Sequence, residues 1–272
     1  MISDDYRFFR IDSLGKGILV KCLFAVLLLV KCSVYLFPIG DPDFSEFMIW
    51  TDKLLANTSP MAQIDFESMP FTFENALYVC HVLAANFILI MGAVLYAGLY
   101  IRQYRIDHQP NKAGASGYLI PPMYLKEISV PKFIGRFLIL SLCVAVIFIP
   151  ALYFVLLLFV GFIIICPCVV MYPACYLSGD TGLFKSFSEM IKVIKGYFII
   201  NMRTMSVLML IYFLGDYISS GLMRVLPAVA YVLGPLVSVF VALVAGRYVG
   251  IIYCRMREVP GGLRIRNHAS VK

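Results

Sequence analysis

The chain has 272 residues, 61% of them hydrophobic and 14% charged, with a mean hydropathy of +0.87 and a formal net charge of +7. Soluble domains carry about 25% charged residues, so a water-soluble fold has too little polar surface to cover this chain, and the composition predicts a polytopic all-α membrane bundle. The basic excess reads as a membrane orientation signal, with no nucleic-acid partner.

Apolar segments at about 17–37, 75–101, 134–151, 154–177, 196–216 and 228–253 predict six transmembrane helices in a single membrane domain, 1–272. The first has a basic flank like that of a signal peptide. It is long, carries Lys31 and has no A-x-A site, so it reads as a retained span. The outer loop 38–74 holds seven acids (Asp41, Asp43, Glu46, Asp52, Asp65, Glu67 and Glu74) against Lys53. Within it Asp43 can cap a short helix whose Phe44, Phe47, Met48, Trp50, Leu54 and Leu55 suit a membrane interface. In the second span, His81 and Asn86 are expected to bond between helices. The loop 102–133, rich in Pro and Gly, reads as irregular and cytoplasmic.

From Phe137 to Gly179 the chain has no Asp, Glu, Lys, Arg or His. As one helix this run would reach about 65 Å, roughly twice the hydrocarbon thickness of ~30 Å. It must fold back, and Pro150 is the expected break. Later in the run, Pro167 and Pro173 are further helix-break candidates. Cys166-Pro167-Cys168 joins a freed carbonyl to thiols suited to soft ions, and Cys168, Met171 and Cys175 share a face. The motif resembles the intramembrane site of heavy-metal P-type ATPases. Their phosphorylated loop and nucleotide domain are not in this sequence, so pumping is excluded; cysteines beside a kink remain the expectation, with Cys166, Cys168 and Cys175 as weak metal candidates and no cofactor.

Between the fourth and fifth spans, residues 181–195 pattern as an amphipathic elbow helix, with Asp180 as N-cap. Leu183, Phe184, Phe187, Met190, Ile191 and Ile194 lie on one face; Lys185, Ser186, Ser188, Glu189, Lys192 and Lys195 lie on the other. Such a helix lies in the membrane surface, its lysines drawn to anionic lipid, and it can couple to a soluble partner. All 23 lysines and arginines except Lys31, Lys53 and Arg224 fall in the N-terminal segment, the 102–136 region, the 185–203 region or the tail. The positive-inside rule makes that face cytoplasmic and puts both termini inside.

Charges inside spans are costly and mark candidate sites. Lys31 and Asp216 fall at similar outer depth, as a pair or as two side chains reaching the interface. Arg203 and Arg247 sit near the cytoplasmic boundary, either reaching outward or sharing an anion pocket. The three histidines, His81, His108 and His268, are scattered, and no metalloprotease, serine-hydrolase or nucleotide-loop motif is found, so an enzyme is not expected.

The run Pro167, Pro173, Tyr176, Gly179, Phe184 and Ser188, with Lys195-Gly196 before a new span, resembles a group of six-span prokaryotic inner-membrane proteins that includes the membrane domain attached to some glycerophosphodiester phosphodiesterases. The resemblance covers about 134–255. It implies a helical bundle in a bacterial inner membrane and brings no reaction. The expected function is therefore a non-catalytic membrane subunit or assembly factor that meets the bilayer and other subunits through 181–195 and the basic tail. The alternatives are a small transporter or permease subunit, or a lipid-binding or lipid-modifying protein.

Overall fold

A computed structural model describes residues 18–56, 69–107, 128–157, 170–179 and 181–258. Their regular elements are α1 (Ile18–Leu36), α2 (Ser45–Ala56), α3 (Phe73–Asp107), α4 (Val130–Leu157), α5 (Leu183–Leu222) and α6 (Pro227–Glu258), with a further helical stretch at 170–177. No strand occurs among the described residues. The physical reason is that a helix satisfies its backbone donors and acceptors internally, which an apolar solvent demands. Ile18–Leu36, Phe73–Ile106, Phe198–Leu222 and Pro227–Cys254 are each long and apolar enough to cross a membrane.

α3 and α6 make the broadest contact; α5 packs on α6, α1 lies against both α3 and α6, and α4 touches α3 more lightly. On α1 the buried Val20, Leu27, Lys31 and Val34 form a stripe at helical spacing, of which Val20 and Leu27 join Leu89, Tyr96, Val239 and Leu243 in one cluster. The α3–α6 contact is close because it is built on small residues: a Cβ on Gly246 would run into the carbonyl oxygen of Ala93. Such backbone approach is a main source of helix attraction where lipid is as apolar as the side chains. Pro235 lies inside α6. Its missing N–H leaves the carbonyl four residues earlier without a helical donor, and the Cys32 thiol from α1 reaches that oxygen, on Tyr231, at 3.8 Å.

Two expectations are corrected. The helix does not break at Pro150: α4 continues to Leu157, because one proline removes a single donor and the remaining ladder holds. Residues 158–169, which include Cys166, Pro167 and Cys168, lie outside the described residues. Residues 181–195 likewise do not form a separate helix, although the span expected from 196 has its counterpart in Phe198–Leu222. The helical backbone runs unbroken through Gly196, from Leu183 to Leu222. Its N-cap is Gly182, with no side-chain cap bond; Asp180 lies outside the described residues. Pro173 is helical, within 170–177.

Candidate functional site

Three polar layers are built into the apolar bundle. The first joins α1 to α3. Lys31 is only 9% exposed, and its ammonium donates to Asn86 Oδ1 at 2.9 Å. Asp216 is exposed on α5 and makes no hydrogen bond or ion pair with Lys31. The direct partner of Lys31 is thus the amide of Asn86. One turn further, His81 Nδ1 accepts the Ile39 N–H at 3.2 Å and Nε2 lies 3.4 Å from Ser33 Oγ. With Nδ1 accepting, the ring proton sits on Nε2 and donates to the serine. His81 and Asn86 therefore bond between helices as expected.

The second layer lies near the opposite end of the bundle, between α5 and α6. The Tyr248 hydroxyl donates to Asn201 Oδ1 at 2.6 Å, and Asn201, Arg247 and, on α3, Arg105 are all at most 5% exposed. Arg203 is exposed while Arg247 is buried. The two arginines therefore occupy different environments.

The third layer is a junction that sequence reasoning did not single out. Arg136 Nη1 donates to the carbonyls of Tyr176 at 2.6 Å and Thr181 at 2.8 Å, and its guanidinium lies over the Tyr176 ring, 4.9 Å from the centroid. Gly179 turns the chain there with φ of +81°, a left-handed conformation that costs glycine least. Thr181 Oγ1 and Ser186 Oγ lie 2.6 Å apart, Ser186 Oγ donates to the Gly182 carbonyl, and the Tyr172 hydroxyl donates to that of Leu183. The Tyr176 carbonyl in the last turn of the 170–177 helix and the Thr181 carbonyl just before α5 thus share one side-chain donor. The available signal was that Arg136 is the last charge before a 43-residue run without one.

Of the metal candidates, Cys175 is buried beside Met171 in the apolar cluster shared by α3, α5 and α6. No group of three or more metal-ligating residues occurs among the described residues. The first half of α5 presents three faces. Ser186, Met190 and Ile194 are buried; Phe184, Phe187 and Ile191 are exposed at 90%, 55% and 43%; Lys185, Ser188 and Lys192 are exposed on a third side. Lys192 pairs with Glu189 at 3.3 Å.

Comparison of this chain with protein families, with curated proteins and with solved structures finds no match in any of the three.

Proposed function

We propose that the protein is a non-catalytic subunit or assembly factor of a larger membrane complex, a six-span bundle of a bacterial inner membrane with both termini in the cytoplasm. In this reading the first half of α5 is an elbow lying along the cytoplasmic membrane surface. With the basic tail, it offers the surface on which other membrane or cytoplasmic subunits dock.

The carrying observation is how α5 is anchored. The helix between Leu183 and Asn201 is about 27 Å long at 1.5 Å per residue. Leu183 is bonded to Tyr172, whose helical stretch lays Leu177 on Gly98 of α3. Asn201 is bonded to Tyr248, which lies between Gly246, against Ala93, and Gly250, against Tyr100. Both ends thus meet the bundle at nearly the same level of α3. A rod along the bundle axis would separate these contacts by its full length; one crossing the end of the bundle keeps them level. Met190 and Ile194 then fall in one cluster with Ile252, Tyr253 and Cys254 at the basic end of α6. A role in assembly also agrees with the use of the polar side chains, since the half-buried Asn86 and Arg136 and the buried Asn201 and Ser219 bond one segment to another.

Purification from native membranes in mild detergent tests the proposal. Discrete partner proteins should co-elute with the full chain, and deletion of 259–272 should release them while the protein stays in the membrane. A protein that runs alone and moves solute in liposomes would overturn it. The second reading, a small permease, draws on the burial of Lys31 and on Asp216 as a second charge within an apolar span. It requires Lys31→Ala or Asp216→Ala to abolish flux in protein that still folds, and unchanged flux removes it.

A further inference from the structure

The two outward faces of the first half of α5 fit different parts of a lipid. Phe184, Phe187 and Ile191 recur at three and four residues, so they form one apolar stripe, and Phe184 is the most exposed large hydrophobic residue among those described, at 90%. Lys185, Lys192 and Arg203 are seven and eleven residues apart, close to two and three full turns at 3.6 residues per turn. All three are exposed, the lysine of the Lys192–Glu189 pair at 70%. They form a cationic row about 120° around the helix from the apolar one, at 3.6 residues per turn. The row continues across Gly196 into the segment Phe198–Leu222, which is long and apolar enough to span a membrane. Its arginine thus falls a turn inside the apolar segment, and the two lysines fall before it. A lipid monolayer meets Phe184 and an arginine a turn inside the apolar segment at once, with acyl chains against the phenyl rings and phosphates against the cations, and leaves the basic tail and the rest of the elbow to protein partners.

We infer that this face of α5 is a binding surface for anionic phospholipid of the cytoplasmic leaflet, selected by the row Lys185, Lys192 and Arg203. The inference rests on the elbow reading above. Each exposed cation near a charged membrane surface adds to the attraction, and the contributions accumulate along a row. Neutral lipid fills the apolar stripe equally well, so the selectivity resides in the cations alone.

The test uses the full chain in vesicles of phosphatidylcholine, with or without phosphatidylglycerol. Because the protein has one tryptophan, Trp50→Phe combined with Phe187→Trp gives a single reporter on the apolar stripe. Lipids brominated near the headgroup should quench it and aqueous iodide should not. Phosphatidylglycerol should raise the thermal midpoint of the unmodified protein, and Lys185→Gln/Lys192→Gln/Arg203→Gln should lose that rise. Lys53→Gln on α2, at the other end, should keep it. Quenching by brominated lipid with no dependence on lipid charge in either protein overturns the anionic selection and leaves the elbow standing. Quenching by iodide instead, or shielding from both quenchers by a co-purifying protein, overturns the lipid contact itself.

Discussion

Arg136 holds Tyr176 in two ways at once, donating to its carbonyl at 2.6 Å while the guanidinium rests over its ring at 4.9 Å. The same Nη1 also reaches Thr181, so one side chain of α4 ties the end of the 170–177 helix to the start of α5. Hydrogen bonds from a charged donor contribute about 1.5–3 kcal/mol each, and Arg136 is half-buried, so screening is incomplete. Arg136→Gln should therefore lower stability by about 2 kcal/mol. Arg136→Lys should fall between, since an ammonium keeps the charge but not the flat stacking surface. Thermal unfolding in one detergent measures both, and a glutamine variant as stable as the parent would show the junction to be held by packing alone.

Lys31 and Asn86 form a pair whose members are unequal in cost. Asn86→Leu leaves a buried ammonium without its direct acceptor, which should destabilise by about 1–3 kcal/mol. Lys31→Met together with Asn86→Leu removes both groups and should recover most of that loss, because an apolar pair suits an apolar surrounding. Asp216→Asn should have a small effect, since no bond to Lys31 is broken. A double-mutant cycle on unfolding midpoints gives the coupling, and additivity of the two single changes would contradict the bond.

The extent of what was legible in the sequence follows from the range of each signal. Hydropathy reports local composition, and α1, expected at 17–37, appears at Ile18–Leu36. The short helix after Asp43 is likewise present, as Ser45–Ala56. Pro150 misled because the rule that proline breaks helices weighs one lost donor, whereas the apolar run on either side keeps every other bond. The helix break expected at Gly196 misled for a related reason: a change from amphipathic to wholly apolar pattern marks a change of surroundings, and one helix passes through both. Arg136 and Asn201 were missed as connectors because their partners lie 40 and 47 residues away, and charge or polarity read one residue at a time carries no such distance.

Glycine packing gives a prediction that separates close approach from conformation. Gly246→Ala pushes a methyl into the Ala93 carbonyl, a backbone atom that cannot rotate away. It should cost about 1–3 kcal/mol, as overpacking does. Nothing lies within 4 Å of the corresponding position on Gly221, near the end of α5. Gly221→Ala should be neutral or stabilising by up to about 1 kcal/mol. Equal effects at both sites, read as shifts in thermal midpoint, would count against the α3–α6 contact.

Asp43 ties the start of α2 to pH. Its Oδ1 accepts the backbone N–H of Ser45 at 2.9 Å, and this bond holds the carboxyl below its ordinary value even though the group is fully exposed. Because the folded pKa is the lower one, the stabilisation is complete above the unfolded carboxylate pKa and is lost as pH falls through the folded value. The cap therefore holds at neutral pH and opens on acidification below the usual carboxylate range. Trp50 reports it, since its ring stacks on Phe47 at 5.9 Å and Phe47 meets Phe71 at 5.7 Å. Tryptophan emission should shift on acidification of the parent, and Asp43→Ala should already show the acid-like spectrum at neutral pH. An acid transition that survives unchanged in that variant would assign it to another carboxylate of the 38–74 loop.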